Sequence, residues 1–480
     1  MKIFYLNSWS RAGVVAIAVL LNACAPSQDA PSPTAGLNVS RYLAVGDSYT
    51  AGFSAGGLTR ASQEYSFPNL LARQLRLASP EAMFSQPLLE TGSGSGYTAL
   101  VVFTPAGFAR CRRVAGQAVR RIVPNPTACG GPDTVRLLTR NATASTLPQN
   151  LGVPGLFLSQ IETPGLGNEA SATPGAAFNP YFERLLPAGD SRSYLQVVTA
   201  AAPAATFFTY FLGLDDLLPF VRSGGQCGGL DDVTLPNRIQ LQNSMIQNSK
   251  KILDRLTANG QKGIIATLPA LSTLPILRLG QGEILQARLK VTFGDTANIY
   301  IPDPQPIVQG QSSGPAQRIS DGDYVLATAL ARIGQLTPVR VGATTVMLPY
   351  GRHIRNPLRD EDVLDSRELS FAKGILDRYN AELERLASDV YKLPVITVAG
   401  TINTLNLDGV LFNQIANGIS VGGVGYSTEP VRGNVFSLDY FSLTPRGNAL
   451  LANAFIAALN RAYRSNIPAI DVNSLPNTAQ

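Results

Sequence analysis

Short apolar runs alternate with longer apolar stripes along most of the chain. Four short runs have the largely continuous apolar character of strands that are buried on both faces. They are 41–45, 206–212, 262–267 and 394–398. Three longer segments repeat apolar side chains at the spacing of a helix that buries one face. They are 236–260, 375–390 and 445–462. Because strands and helices alternate, the pattern predicts a mainly parallel central sheet with helices on both faces, a three-layer α/β/α fold.

Two segments interrupt this alternation. Residues about 91–149 are rich in Gly, Ser, Pro and Arg, and residues about 271–365 mix short apolar runs with turn signals. Neither segment contains a repeat or an obvious linker. We therefore expect both to be large insertions in a single domain that spans 41–470, followed by a tail at 471–480.

The amino terminus has the pattern of an export signal. The apolar run Gly13–Leu21 is too short to span a bilayer. We therefore predict that it is the core of a signal peptide that comprises residues 1–23. It leads into Leu21-Asn22-Ala23-Cys24, which resembles the cleavage box of bacterial lipoproteins. The resemblance implies that Cys24 becomes the first mature residue and carries the lipid. An ordinary secretory signal with an incidental cysteine is the alternative.

The residues that follow Cys24 support a lipid-anchored protein. The stretch 25–36 is rich in Pro, Ser and Ala and has no apolar periodicity, so 24–40 is predicted to be a flexible tether. Ala25, rather than an aspartate, follows the cysteine. In Gram-negative lipoproteins this implies passage to the outer membrane. We therefore expect an exported protein whose N-terminal lipid binds it to the outer membrane.

Composition narrows the chemistry. A net charge of +6 over 480 residues is too diffuse to predict a nucleic-acid partner. A single histidine excludes a metal site built from several histidines, and neither a metal nor a cofactor is predicted. One group of arginines has the composition of a site for an acidic glycan or a phosphate, with a solvated surface as the alternative. The group consists of Arg110, Arg112, Arg113, Arg120 and Arg121.

Three cysteines remain after Cys24: Cys111, Cys129 and Cys227. An exported protein meets oxidising conditions, so one disulfide is expected, and Cys111–Cys129 is the nearest pair along the chain. The sequence contains no paired CxxC motifs, which leaves zinc or redox chemistry without support.

A candidate nucleophile follows the first predicted strand directly. The segment Gly46–Gly52 reads GDSYTAG, which places Ser48 at the carboxyl edge of the sheet, where ligands of α/β folds bind. It resembles the first motif of the GDSL, or SGNH, serine ester hydrolases, in which this serine is the nucleophile. Ser54 lies in a competing GxSxG match, but that motif needs a strand immediately before it. Ser54 is therefore not predicted to be the nucleophile.

Three later segments resemble further motifs of the same family, in the same order. They are 150–155, 213–216 and 436–447. The resemblance, which covers residues about 41–465, implies an SGNH-hydrolase-like (flavodoxin-like) fold of the kind found in large lipoprotein members. It also implies that the N–H of Gly155 and the side chain at Asp215 face the oxyanion, and that Asp439 belongs to the catalytic triad.

Two departures from the family pattern bear on activity. Asp215 stands where the family has an oxyanion-binding asparagine, and Ser442 stands where it has the histidine base. An ionised carboxylate repels the developing oxyanion, and losing one oxyanion donor costs about a hundred- to a thousandfold in rate. A serine cannot take the nucleophile's proton near neutral pH, and losing the base of a triad costs on the order of a millionfold. The chain is therefore predicted to be a weak or inactive hydrolase.

Three other groups offer a substitute for the missing machinery. His353, the one imidazole, lies in the second insertion and could fold over the cleft. Asp439 could act directly as a weak base, and Asp215 could be protonated by burial and donate to the oxyanion.

The sequence therefore predicts an envelope lipoprotein of the SGNH fold that is impaired in catalysis and binds an acylated or glycan ligand. The first alternative is an active acyl-ester hydrolase that uses Ser48 with an unorthodox base. The second is a purely structural envelope lipoprotein. Protein partners are not predicted.

Overall fold

The computed structural model describes nine stretches of the chain. They are 33–117, 120–124, 134–141, 146–173, 177–226, 235–294, 298–303, 314–396 and 411–478. The predicted signal peptide, Cys24 and most of the tether lie outside these residues, as do Cys129 and Cys227. None of the helices in the described stretches is long and apolar enough to cross a membrane.

The strands of the described residues are, in chain order, β1 (Tyr42–Gly46), β2 (Gly96–Phe103), β3 (Ala109–Ala115), β4 (Arg121–Pro124), β5 (Thr134–Leu137), β6 (Phe207–Phe211), β7 (Lys262–Ala266), β8 (Tyr300–Asp303), β9 (Gly314–Arg318), β10 (Tyr324–Val325), β11 (Leu336–Val341), β12 (Thr344–Pro349), β13 (Val363–Leu364), β14 (Val395–Ile396), β15 (Ile419–Val421) and β16 (Val424–Tyr426).

The α-helices are α1 (Ser48–Ala51), α2 (Arg60–Glu64), α3 (Phe67–Ala78), α4 (Pro180–Glu183), α5 (Tyr194–Ala201), α6 (Leu214–Arg222), α7 (Leu235–Leu256), α8 (Pro275–Arg278), α9 (Gly282–Phe293), α10 (Ala327–Leu330), α11 (Ser366–Arg385), α12 (Asn413–Asn417) and α13 (Pro445–Tyr463). A π-helical turn, Leu386–Val390, continues α11.

The central sheet is parallel and has the strand order β1-β6-β7-β14. All five residues of β1 and of β6 are buried, as expected of largely apolar strands that are covered on both faces. Beyond the free side of β1, isolated parallel bridges join Arg41 to Met83 and Ala44 to Asn150. The predicted parallel α/β sheet is therefore confirmed, with strand ends that differ from the prediction by a residue or two.

Two successive residues of β6 show that helices cover both faces of the sheet. The Tyr210 hydroxyl donates to Ser249 Oγ of α7 at 2.7 Å. The ring of Phe211 packs 6.2 Å from the ring of Phe67 in α3, which in turn stacks on Phe455 of α13 at 4.9 Å. Successive side chains of a strand point to opposite faces, so α7 lies on one face and the α3–α13 pair on the other.

The two predicted insertions contain antiparallel hairpins. Strands β2–β3 and β4–β5 pair within the first segment, and β8–β9 and β11–β12 pair within the second. Among the described residues, none of these strands joins the parallel sheet.

Candidate functional site

Ser48 lies where β1 ends and α1 begins. The turn is tight: a Cβ atom at Gly46 would come within 2.3 Å of the Phe211 carbonyl oxygen, so only glycine fits there. Ser48 is buried, with 4% of its surface exposed. The strand–turn–helix geometry therefore holds Ser48 at the carboxyl edge of the sheet, as the sequence predicts.

Asp215 reaches this serine from the next strand of the sheet. Gly213, with a φ of 117°, turns the chain from β6 into α6, and Asp215 lies in the first turn of that helix. Its Oδ2 accepts the Ser48 hydroxyl at 2.6 Å, the Ser48 N–H at 3.2 Å and the Gly155 N–H at 2.7 Å. We call Ser48, Gly155 and Asp215 the Ser48 cluster. One carboxylate oxygen thus occupies the point at which two backbone donors converge.

Asp47 supports this arrangement from beneath, a role that sequence reasoning missed. Its Oδ2 accepts the N–H groups of Gly213, Leu214 and Asp215 at 3.0, 3.0 and 3.3 Å. A carboxylate at the start of a helix satisfies N–H groups that lack partners within the helix. The local capping preference of aspartate does not predict this contact, because the three N–H groups lie 166 to 168 residues further along the chain.

Three buried carboxyl groups lie together around the serine: Asp47, Asp215 and Asp216. Burial raises the pKa of each above its ordinary value, because the charged form loses its hydration. The neighbouring charge of Asp215 raises the pKa of Asp47 and Asp216 further. Hydrogen bonds from Ser48 and Gly155 and the charge of Arg222 oppose the rise at Asp215 without cancelling it.

A second buried carboxylate, Asp439, is held by five donors. Its Oδ1 accepts the N–H groups of Phe441 and Ser442 at 3.1 and 2.9 Å and the hydroxyl of Ser437 at 2.8 Å. Its Oδ2 accepts the Gly56 N–H at 2.6 Å and the Ser442 hydroxyl at 2.5 Å. We call Ser437, Asp439 and Ser442 the Asp439 cluster.

Ser442 is enclosed within this second cluster. None of its surface is exposed. Besides its bond to Asp439, its Oγ lies 2.7 Å from Ser437 Oγ and accepts the Ala55 N–H at 3.1 Å. The hydroxyl therefore completes a closed hydrogen-bond network, and it offers no group that could accept a proton from Ser48 near neutral pH.

The two clusters are neighbours that are connected through other residues. The Tyr49 hydroxyl donates to the Phe441 carbonyl oxygen at 2.5 Å, and the ring of Phe53 stacks on that of Phe441 at 6.1 Å. Yet no hydrogen bond among the described residues joins Ser48 to Asp439 or Ser442. The predicted site residues therefore form two groups. Ser48 donates its hydroxyl and its N–H to Asp215, in the first group.

His353 makes its contacts inside its own loop. Its Nδ1 accepts the Arg355 N–H at 3.1 Å, and an isolated bridge joins His353 to Asn356. Within the described stretches, neither cluster receives a hydrogen bond from it. The role of substitute base is therefore unsupported by any contact of His353.

The predicted arginine group is divided between different tasks. Arg113 donates to the carbonyl oxygens of Gly56 and Ser95, both at 2.7 Å. Arg120 pairs with Glu169 at 2.7 Å and with the buried Glu183 at 2.5 Å. These two side chains hold loops together instead of facing a ligand. Arg110 and Arg112 are exposed. The side chain of Arg121 is not among those that the structure describes.

Two further predictions concern Ser54 and the cysteines. The Ser54 hydroxyl is buried and donates to the Leu443 carbonyl oxygen at 2.8 Å, which is a structural contact. Cys111 is half-buried and forms no disulfide with another described residue, and burial raises the pKa of its thiol. Because Cys129 lies outside the described residues, the Cys111–Cys129 disulfide stays a prediction.

No match was found when the chain was compared with protein-family models, with the curated proteins and with the solved structures. Within the described residues, no group of three or more His, Cys, Asp or Glu side chains is placed to hold a metal ion. The chemistry of the site therefore has to be argued from its geometry.

Proposed function

We propose that this chain is a cell-envelope lipoprotein with an SGNH-hydrolase-like fold whose catalytic site is closed by its own carboxylate. The observation that carries the proposal is the position of Asp215, whose Oδ2 accepts the N–H groups of both Ser48 and Gly155 and the hydroxyl of Ser48. In the hydrolases that the sequence resembles, the N–H at the position of Gly155 helps to bind the oxyanion.

The strand order supports this fold. The order β1-β6-β7-β14 matches positions 1-3-4-5 of the flavodoxin-like order 2-1-3-4-5, in which ligands bind at the carboxyl ends of the strands beside the first one. On the other side of β1, the described residues contribute only isolated parallel bridges, at Met83 and Asn150. Ser48 and Asp215 both lie at the carboxyl edge of the sheet.

The hydrogen bonds that Asp215 accepts explain why we expect the chain to have little or no hydrolytic activity. Ester hydrolysis requires the two N–H groups to bind an oxygen that becomes negative in the transition state. Asp215 Oδ2 already accepts from both donors, so an incoming oxygen has to displace it, and in its ionised form Asp215 also repels a second negative oxygen. The Ser48 hydroxyl is also directed at Asp215 Oδ2, so an attack on a carbonyl carbon has to break that bond first.

A reactive fluorophosphonate, which labels activated serines, tests the closed site. We expect the wild-type protein to stay unlabelled under conditions that fully label an active serine esterase. Labelling that disappears in Ser48→Ala would contradict the closed site. Incorporation of radioactive palmitate, lost in Cys24→Ser, tests the lipid anchor separately.

The ligand part of the proposal rests on the resemblance alone. An acylated or glycan ligand would enter near Ser48, and the test is equilibrium binding of an acetylated oligosaccharide to the soluble protein. We expect binding that is weakened by Ser48→Trp, which fills the space around the serine. Absence of binding would favour a purely structural envelope protein.

One contact favours a second candidate, an active ester hydrolase. The hydroxyl of Ser48 lies 2.6 Å from a carboxylate whose pKa is raised by burial, and such a carboxylate is a stronger base than a free one. Under this alternative, activity rises with pH as Asp215 ionises, and Asp215→Asn abolishes it. Under the closed-site proposal there is no Ser48-dependent activity for Asp215→Asn to abolish.

A further inference from the structure

A cavity of about 310 Å³ lies behind the Asp439 cluster, apart from Ser48. Its walls come from the segment that follows α1, from strand β2, from residues 431–444 and from the C-terminal residues 477–478. Its volume lies at the lower end of the range for small-molecule sites, roughly 300–1,000 Å³. Neither Ser48 nor Asp215 contributes to its lining.

The lining is uncharged and largely apolar. Apolar or aromatic side chains in the lining are Tyr97, Ala99, Leu100, Val431, Phe436 and Leu438, and no described Lys, Arg, Asp or Glu contributes. A charged ligand would therefore lose its hydration without gaining a charged partner among these residues. The cavity favours a neutral, aliphatic occupant.

Most hydroxyl groups in the walls are already engaged. Ser54 donates to the Leu443 carbonyl oxygen, Thr444 donates to the Asn434 carbonyl oxygen at 2.7 Å, and Ser437 donates to Asp439. Their polar atoms face the protein, so these side chains add mainly carbon to the cavity surface.

Three polar side chains in the lining remain available. Among the described residues, no hydrogen bond involves the hydroxyl of Tyr97, the amide of Asn477 or the hydroxyl of Thr478. Asn477 and Thr478 are exposed to solvent, whereas Tyr97 is half-buried. The Tyr97 hydroxyl donates and accepts without carrying charge, so it matches a single uncharged polar group on an otherwise aliphatic ligand.

Backbone strain at the walls gives an independent indication of a binding site. Ala55 and Val431 both line the cavity and have φ values of 52° and 65°. A positive φ is a genuine outlier for a β-branched residue, and such strained positions concentrate at ligand-binding sites. The N–H of Ala55 is fixed in this conformation by the hydroxyls of Ser437 and Ser442.

We propose that this cavity binds a neutral amphiphile, an aliphatic chain that ends in an uncharged alcohol, amide or ester group. The site needs neither Ser48 nor hydrolysis, so it goes beyond the function proposed above. The Asp439 cluster then has a role of its own, because it shapes one wall of a binding site instead of serving a catalytic serine.

Fluorescence of N-phenyl-1-naphthylamine, an uncharged dye that brightens in apolar sites, provides the test. We expect saturable binding of the dye to the soluble protein and its displacement by 1-decanol. Decanoate, which has the same chain length and a negative head group, should need at least a tenfold higher concentration. Absence of saturable dye binding, or equal displacement by both competitors, would overturn the proposal.

Matched variants locate the dye. Ala99→Phe places a ring in the cavity and should weaken dye binding at least tenfold. Ala115→Phe makes the same change at an exposed position of the neighbouring strand and should leave binding unchanged. Equal effects of the two variants would contradict the assignment. Tyr97→Phe tests the polar end without a change of size, and it should weaken displacement by 1-decanol while dye binding persists.

Ser48→Ala separates this proposal from the closed hydrolase site. Dye binding should be the same in Ser48→Ala and in wild type, because Ser48 does not line the cavity. A loss of dye binding in Ser48→Ala would place the dye in the Ser48 cluster and would contradict the separate cavity. Fluorophosphonate labelling reports on Ser48 alone, so either proposal can fail without the other.

Discussion

The Ser48 cluster and the Asp439 cluster both consist of a buried carboxylate surrounded by serine hydroxyls and backbone N–H groups. In the Ser48 cluster, three bonds converge on one oxygen of Asp215, at a site suited to an oxyanion. In the Asp439 cluster, five bonds spread over both oxygens and close a loop that has no free donor or acceptor directed at Ser48. Under the proposed function, the Ser48 cluster is a closed catalytic site, whereas the Asp439 cluster stabilises the framework.

Under the proposed function, this difference decides what it takes to restore each cluster to the pattern of the resembled family. Asp215 differs from that family's asparagine in charge and donor capacity and hardly in size, so the surrounding backbone fits either side chain. Ser442 is much smaller than that family's histidine, and its hydroxyl bonds to its nearest neighbours. Asp215→Asn therefore needs no additional space, whereas Ser442→His needs space for a larger side chain in the Asp439 cluster.

The largest expected effect is a gain of activity when both replacements are reversed. The double variant Asp215→Asn/Ser442→His regains an oxyanion donor and a base, and we expect a Ser48-dependent esterase rate at least about a hundredfold above that of either single variant. Hydrolysis of p-nitrophenyl butyrate measures the rate, with circular dichroism to verify folding. A folded double variant that stays inactive would show that the histidine cannot reach Ser48 from the Asp439 cluster.

The next largest effect is a loss of stability at the Asp439 cluster. Asp439→Ala leaves several buried donors without an acceptor, and we expect the free energy of unfolding in urea to fall by about 3 kcal/mol or more. Asp321 is exposed, so Asp321→Ala should change the free energy of unfolding by no more than about 0.5 kcal/mol. Similar values for the two variants would contradict a framework role of Asp439.

The third prediction concerns pH and Asp216, the buried neighbour of Asp215 in the chain. Because burial raises the pKa of Asp216 in the folded protein, the folded state binds this proton more tightly than the unfolded state does. The protonated Asp216 carboxyl group therefore contributes its full stabilisation below its pKa in the unfolded chain, about 3.9. This stabilisation is lost as the pH rises through the pKa of Asp216 in the folded protein. Asp216→Asn keeps an acceptor for the Leu158 N–H and removes this loss.

Urea unfolding at pH 4.5 and pH 7 measures this effect. Lowering the pH from 7 to 4.5 should raise the free energy of unfolding of wild type relative to that of Asp216→Asn. Asp321→Asn, at an exposed position, should behave like wild type. An unchanged pH dependence in Asp216→Asn would contradict the raised pKa.

The smallest expected effect is at the contact that joins the two clusters. Tyr49→Phe removes the hydrogen bond to the Phe441 carbonyl oxygen and should lower the free energy of unfolding by about 1 kcal/mol. Tyr65→Phe is the matched control, because no hydrogen bond of the Tyr65 hydroxyl is found among the described residues. Equal effects of the two substitutions would mean that the Tyr49 hydroxyl does not hold the clusters together.

The sheet and the Ser48 cluster were predictable because their signals are local. Continuous apolar runs predict β1, β6 and β7, and parallel strands bring their carboxyl ends to one edge, which is why Ser48 and Asp215 meet. The resemblance in sequence motifs added Gly155, which comes from a loop that no periodicity predicts.

The Asp439 cluster was less predictable because its contacts depend on distant turns. The resemblance places Ser442 where the family has a histidine, but the sequence does not show that Ala55 and Gly56 donate to the cluster from a turn with a positive φ. The capping of α6 by Asp47 and the separate tasks of Arg113 and Arg120 were missed for the same reason. Each depends on a partner more than forty residues away in the chain.

Hydrolysis of p-nitrophenyl butyrate by the soluble protein starting at Ala25, beside Ser48→Ala, tests the central claim most directly. With Asp215 in the oxyanion site and no base on the other side of Ser48, both proteins should give the same rate, equal to that of buffer. A wild-type rate well above buffer that disappears in Ser48→Ala would contradict the closed site and would identify an active hydrolase.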